Sequence, residues 1–554
     1  MATLEGADKA YTTLLSEIET GQIKIPQFQR QFVWDLASSA KLLDSILKGY
    51  PIGTFIYWRT NERLRAVRNI GNIDLPEPRD GEFVNYVLDG QQRITSLFAA
   101  LKGETITRED GHQEDFSAIY VDLEAGTEDP LVIVDPANLA PNTFVKLTDL
   151  MNQGRRFFQA FPEKYDEKLD RYKAILQAYQ FKGINLKDAE IDVATEVFTR
   201  LNVGGKSLSL FEIMVAKTYD PVRSFDLYEK FEELKQELLP SKYDTISAAN
   251  VLQLISLLLK RDCKSKTILK LERAAFIDQW EPAMDSIKRA IDFFRAYGIP
   301  VSRLLPYNAL IVPFGYFFHK HPNNPTGQTK RLLEDFFWRV SMGFRYSSAV
   351  ESKLVQDIEK IDEILAGRQP KYEWGVDVSE NALRLNGYFG TGRSLIKAIL
   401  CLYAMHKPKS FDSGLDVNID NSWLKIATSK NYHHFFPKAY MRKEHPSTEE
   451  WLVNHIVNIT IVDDRLNKNR IKAKAPATYM KTFAKENEHL AATMATHLID
   501  NVEAFGVWEN DYGTFFNKRL KRICAELNRR IIPQQAEQAL ELYQDVEEPE
   551  TAEE

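Results

Sequence analysis

At 554 residues the chain is too long for one ordinary domain, and roughly two to four are expected. Hydrophobic residues make up 44% and charged residues 27%, the balance of a soluble globular protein. A net charge of −7 excludes a surface that coats nucleic acid along its whole length, although it leaves room for a local basic site.

No apolar run approaches the roughly eighteen residues that span a bilayer, and the longest, "VLQLISLLL" at 251–259, suits a buried helix. The start lacks the basic-then-apolar order of a signal peptide. Cys263, Cys401 and Cys524 lie too far apart to suggest a disulfide framework or a cysteine zinc site. A cytoplasmic protein without membrane contact is expected.

In chain order, "SSAKLLDSILKGY" has the helical spacing of Leu42, Leu43, Ile46 and Leu47, with Pro51 after its end. "GTFIYW", "FVNYVL" and "SAIYVDL" predict buried strands. Residues 1–150 therefore predict an α/β or α+β unit. From 151 to 410 the pattern is mostly helical, with long amphipathic stretches such as "FDLYEKFEELKQELL". A third composition occupies 411–485, terminal helices 486–545, and an acidic tail 546–554, for which disorder is expected.

In "YVLDGQQRITSL", residues 86–97, a strand stops at Asp89-Gly90 and a helix closing at Gly103 begins. A helix N-terminus attracts anions. Gln91 and Gln92 add amide donors, and Arg93 adds a permanent cation that can fork onto phosphate. Asp89 could cap the helix or hold a metal or water. A nucleotide-phosphate pocket and a plain Asp cap on a solvated first turn are both open. A second polar cluster, "IPQFQRQFVWD" at 25–35, sets Gln27, Gln29 and Arg30 among Phe28, Phe32 and Trp34.

These two segments, with "VFTRLNVGGKSLSLFE" at 197–212, resemble the "IPxFQRxxVW", "DGQQR" and "RLNxGGxxLSxxE" marks of the GmrSD family. The resemblance implies a fold similar to the ParB and sulfiredoxin domains, and it implies that residues to about 220 still belong to this N-terminal domain. It also implies that Asp89, Gly90, Gln91, Gln92 and Arg93, with Arg30, serve NTP binding or hydrolysis. On the residues alone, 197–212 is a helix, a Gly204-Gly205 C-cap, and a new helix with the capping box Ser209-x-x-Glu212.

In "NYHHFFPKAY", residues 431–440, the adjacent His433 and His434 point to opposite sides of an extended segment. Asn458 follows in "VNIT" and Asn467 in "DDRLNKNR". Phosphodiester hydrolysis needs a base to activate water and a cation beside the leaving oxygen, and neutral histidine suits the base. Tandem histidines with one packed and one exposed, and asparagines as turn residues, are the structural alternative.

The segment resembles the HNH nuclease domain at the C-terminal end of GmrSD-type proteins, a ββα-metal fold. The matching marks are "YHHxFPKAY", "NIT", a following asparagine and "KAPATYM". The resemblance implies His434 as general base, His433 and Asn467 as ligands of Mg²⁺ or Mn²⁺, and Asn458 as a catalytic-site residue bracing the histidine loop. The pattern lacks a third classical histidine, Asn467 standing in the helix position, and no CxxC pairs flank it; the nearby His445 and His455 are assigned no role.

Residues 431–480 hold eight Lys or Arg against five Asp or Glu. Lys468, Arg470, Lys472 and Lys474 alternate there, as a phosphate-contacting strip or a solvated face. "GYFGTGRSLIKAIL" at 387–400 puts a Gly-rich turn before a helix. "FWRVSMGFRYSS" at 337–348 suits either base stacking or the packing of the middle region.

The expectation is thus an α/β domain, a helical middle and a C-terminal HNH domain with flanking helices. The expected function is an NTP-dependent, modification-dependent DNA endonuclease acting on phage DNA, with a homodimer as one assembly. A phosphorothioate-sensing NTPase and nickase, and a nucleotide-dependent DNA-binding switch with an inactive HNH domain, are the alternatives.

Overall fold

Short apolar runs that alternate between two sets of side chains build strands covered on both faces, and the first part of the chain follows that rule. The computed structural model describes residues 2–26, 29, 32–61, 64, 70, 73, 75–79, 81–108, 112–126, 129–201, 209–220, 222–390, 392–421, 432–463 and 465–534, with backbone alone at 192, 199 and 468. Arg30, with Gln27 and Phe28, the Gly204-Gly205 turn and the acidic tail lie outside the described residues. The chain divides into two compact units, Met1–Leu227 and Tyr228–Glu554.

In the first unit, strands β1 (Thr3–Gly6), β2 (Ile23–Lys24), β3 (Phe55–Thr60), β4 (Val84–Asp89) and β5 (Gly183–Lys187) form one mixed sheet in the order β1-β5-β3-β4-β2. β5 runs antiparallel to β1 and parallel to β3, while β4 runs antiparallel to β3 and parallel to β2. Phe55, Tyr57 and Val87 face one core. The same core takes Leu14 and Ile18 from helix α1 (Tyr11–Glu19), Leu43 and Ile46 from α2 (Leu36–Leu47), and Ile94 and Leu97 from α3 (Gln91–Lys102). Trp58, Tyr86 and Leu88 face the other core, with Leu186, Ile191 and Phe198. β5 sits inside the sheet although it lies beyond the change to helical composition near 150. The strand ladder, not composition, therefore carries the unit to Leu227. Asp35 starts α2 by accepting from the Ser38 N–H at 2.8 Å.

The second unit is mainly helical before its last third, with α4 (Ala248–Lys260), α5 (Arg273–Ala296), α6 (Ile311–Lys320), α7 (Gly327–Met342), α8 (Val350–Leu365) and α9 (Ser394–Met405). Every residue of α6 from Ile311 to Phe318 is buried, so this helix is surrounded on all sides. Gly315 permits the approach of α4, since a Cβ there would lie 2.8 Å from a Leu254 methyl. The "VLQLISLLL" run is the buried face of α4, as its composition predicts.

The aromatic and arginine stretch at 337–348 packs this core and offers no face to bases. Phe337 and Trp338 are fully buried. Arg339 pairs with Asp335 at 3.0 Å and Arg345 with Asp357 at 3.0 Å. The two guanidinium groups lie over Tyr372 and Trp374. Beyond α9, β6 (Tyr432–His434) and β7 (Ile459–Ile461) pair antiparallel. A π-helical turn at Leu466–Ile471 follows, and helix α10 (Tyr512–Asn528) closes the described chain.

Burial raises the Asp357 carboxyl, and the Arg345 charge opposes that rise. Removing one member of such a pair strands the other. Arg345→Ala should therefore lower unfolding free energy by about 3–5 kcal/mol in urea titrations of the full chain. A loss no larger than that of an exposed Arg→Ala control would show the pair to be dispensable.

Candidate functional site

The β4–α3 corner is tied inward. β4 ends at Asp89, and Gly90, at φ +96°, takes the cap position of α3. A side chain on Gly90 would collide with the Phe55 ring. The glycine, not Asp89, therefore caps the helix.

Asp89 instead accepts from Arg93 Nη2 at 2.8 Å. Arg93 also donates to the Ile52 carbonyl at 2.7 Å and the Thr54 carbonyl at 3.1 Å, with its guanidinium over the Phe55 ring. The fork expected to grip phosphate is thus occupied by the 52–54 turn. Gln92 Oε1 accepts from the backbone N–H of Val33 at 2.8 Å and of Trp34 at 3.2 Å. Gln29 donates to the Val87 carbonyl. These bonds stitch together two polar clusters some sixty residues apart in the chain. Gln91 and Gln92 are buried, while the Asp89 side chain is 41% exposed and is the corner's outward-facing group.

The second site is the β6–β7 hairpin. Its register pairs His433 with Thr460 and His434 with Ile459, and strand alternation sends the two imidazoles to opposite faces. His433 is buried, and its Nδ1 lies 3.2 Å from Asn467 Oδ1 on the π-helical turn. Asn467 Nδ2 donates to the Tyr432 carbonyl at 3.4 Å. That donation turns the amide oxygen toward the ring, so Nδ1 carries the proton and Nε2 the lone pair. Nε2 is buried without a hydrogen-bond partner among the described residues.

His434 Nε2 lies 2.9 Å from Asn454 Oδ1, and Asn454 Nδ2 donates to the Phe389 carbonyl at 3.3 Å. By the same reasoning Nε2 carries the proton of His434, and the lone pair is on Nδ1. Burial lowers both imidazoles, His433 to about 3 and His434 to about 4. Both rings are neutral at physiological pH.

The structure brings His433 together with Asn467, and His434 with Asn454. Sequence reasoning missed Asn454; its signal was a second asparagine four residues before Asn458, beside a histidine assigned no role. Asn458 is fully buried. Its side chain accepts from Phe436 N–H at 2.8 Å and donates to the carbonyls of Phe436 at 3.0 Å and Val453 at 2.9 Å. These bonds pin the loop after His434.

Arg519 of α10 is a second brace. It is buried and donates to the carbonyls of Val457 at 2.5 Å, Ile459 at 2.7 Å and His497 at 3.1 Å. Asp463 accepts from Leu466 N–H at 2.8 Å and Ser410 Oγ at 2.6 Å, which seats the turn bearing Asn467.

Lys468, Arg470, Lys472 and Lys474 do not lie along one extended strand. The first half of that segment is π-helical and not extended. Arg470 pairs with Asp412 at 3.2 Å and Glu486 at 2.6 Å. Lys472 and Lys474 are exposed, and the Lys468 side chain is outside the described residues. Among the described residues, no group of three or more His, Cys, Asp or Glu converges on a common centre.

Residues 11–219 match the family model of the GmrSD restriction endonuclease, N-terminal domain. The matched span ends close to the limit of the first structural unit and supports a restriction-type nuclease with DNA as its partner. An uncharacterised protein of Methanocaldococcus jannaschii, MJ0686, is 24% identical over 544 residues, covering 88% of this chain and 89% of its own length. Among the described residues no helix is long and apolar enough to cross a membrane.

Two predictions follow from these contacts. Gly53 sits at φ +86°, and a side chain there would strike Arg93 Nη1. Gly53→Ala should cost about 1–3 kcal/mol in thermal melts. Combining it with Arg93→Ala should add less than the sum of the two; full additivity would separate the turn from the clamp.

The second concerns acid. Burial holds His455 at about 4 and His497 at about 3. His455 Nδ1 accepts from the Val457 N–H at 3.1 Å, a bond that protonation abolishes. Between these values and the ordinary 6.5 the unfolded chain binds more protons, so stability is intact above about 6.5 and falls as pH drops toward 4. Each histidine adds up to about 1.4 kcal/mol per pH unit, and His455→Asn should flatten the melting profile over that window. A profile unchanged by the substitution would count against this account.

Proposed function

We propose that the chain is a nucleotide-dependent endonuclease acting on modified phage DNA, with the phosphodiester cut at His434. The observation that supports this best is a neutral imidazole whose Nε2 proton is donated to Asn454 Oδ1, leaving Nδ1 to accept another. Water gives a proton to His434 Nδ1 while its oxygen attacks phosphorus. The bond to the 3′ oxygen breaks, yielding a 5′ phosphate and, after protonation, a 3′ hydroxyl.

His433 Nε2, a buried ring nitrogen bearing a lone pair, fits a cation ligand. Asn467 Oδ1 then orients the ring in the manner of an outer-shell partner, where sequence resemblance made Asn467 a ligand. With so few protein donors such a cation keeps most of its waters, the habit of Mg²⁺. Bound there, Mg²⁺ or Mn²⁺ would supply positive charge for the leaving oxygen.

The nucleotide is assigned to the β4–α3 corner, where the helix dipole favours phosphate and Asp89 faces outward. Arg93, Gln92 and Gly90 act there by holding the turns that shape the corner.

The test is cleavage of glucosylated hydroxymethylcytosine, phosphorothioate and unmodified plasmid with Mg²⁺ or Mn²⁺, with and without NTP. His434→Ala should slow cutting about 10²–10⁴-fold. Asn454→Ala should give a smaller loss with an altered pH profile. Asp89→Asn should weaken the NTP response and leave basal cutting in place. Wild type that cuts none of these DNAs would end the nuclease reading. Nicking of the phosphorothioate plasmid alone would point to the phosphorothioate-sensing nickase. The full burial of His433 favours one second reading, a nucleotide-dependent DNA-binding switch, in which DNA binding survives His434→Ala unchanged and wild type cuts nothing.

A further inference from the structure

Away from both sites, the second unit holds a cavity of about 550 Å³. It lies where the C-terminal ends of α5 and α9 meet the turn at 240–242 and the returning segment 407–419. Three cations line it: Lys242, Arg295 and Lys407. Lys242 Nζ donates to the neutral oxygens of Asn418 at 3.3 Å and Ile419 at 3.1 Å. Arg295 has Asp292 at 3.9 Å, an exposed carboxylate one turn back on its own helix. Lys407 has no ion-pair partner among the described residues. Asp416, the lining carboxylate, is 3.9 Å from a fourth cation, Lys409. The remaining walls include Pro240, Pro300, Pro408 and Val417.

Cations near helix C-termini often do no more than offset the dipole. Here three of them, from three separate segments, converge on one cavity. Lys242 and Lys407 stand at φ +61° and +50°, the left-handed region where glycine or asparagine sits at less cost. Both lysines therefore stand on turns that glycine would also accept, and both turns line the one cavity.

We propose that this cavity binds a small phosphorylated ligand of mononucleotide size. The three cations take its phosphate oxygens, and the proline and valine walls cover its body. The volume lies within the range of small-ligand pockets. The returning segment also carries Phe411, whose ring centroid is 6.3 Å from that of His433, so the ligand borders the strap that packs on the histidine hairpin.

The experiment is hydrogen exchange of the full chain over residues 404–421, with ADP, pyrophosphate, adenosine or a short DNA duplex. At ADP about tenfold above its Kd, exchange there should slow about tenfold, and adenosine should have no effect. Protection by pyrophosphate as well would show that phosphate alone suffices. The Lys242→Gly/Lys407→Gly chain should melt no earlier than wild type, because glycine relieves both backbones, yet lose the protection. Arg295→Gln, on an exposed part of its helix, should weaken it. The proposal fails if ADP leaves 404–421 unchanged, if adenosine protects equally, if only the duplex protects, or if the glycine variant keeps full protection.

Discussion

An imidazole buried in this protein stays neutral, and what it can do is then decided by which ring nitrogen its amide neighbour occupies. Asn454 is held by the Phe389 carbonyl, so its oxygen faces His434 and the proton must sit on Nε2. Asn467 is held by the Tyr432 carbonyl and does the corresponding thing to Nδ1 of His433. One amide orientation thus leaves the lone pair on Nδ1 of His434 on one strand face, and the other leaves it on Nε2 of His433 on the opposite face. Burial lowers both rings and keeps both neutral, so neither arrangement depends on titration near neutral pH.

The β4–α3 corner uses its polar residues in a related way. Three charged or amide side chains at a helix start look, in isolation, like a ligand-binding set. Arg93 and Gln92 instead satisfy backbone groups of the 52–54 and 33–34 segments, which would otherwise be left without partners at a tight junction. Gly53 and Gly90 are the complement of that clamp, since any side chain would occupy the space of the guanidinium or of the ring beneath it. A short polar run bracketed by glycine is therefore a statement about two distant turns as much as about a ligand.

Local pattern carried the sequence analysis where local pattern is the cause. The buried strand "FVNYVL", the helix bearing Leu42, Leu43, Ile46 and Leu47, and the Gly103 helix end are all present, because periodicity and capping act within a dozen residues. The capping box Ser209–Glu212 forms as its spacing predicts. What escaped depends on partners far along the chain. Arg470 looked available for phosphate until Asp412 and Glu486 were brought to it. Asp89 looked like a cap until Arg93 claimed it. The place of β5 inside the first sheet is a matter of strand order, which no composition window records.

The histidine hairpin itself is short, with three residues in each strand, and two such strands alone are marginal in water. Its rigidity comes from outside. Arg519, drawn from a helix some sixty residues downstream, places a buried guanidinium against the carbonyls of Val457 and Ile459. Tyr479 donates to the Phe435 carbonyl at 2.5 Å, and Asn458 closes the loop between the strands. Among the described residues, the brace works by directed hydrogen bonds to three carbonyls, and burial lowers the guanidinium. A chain cut before α10 would retain both histidines and both asparagines yet lose the donor that fixes the second strand. Helix α10 is therefore part of the site's geometry.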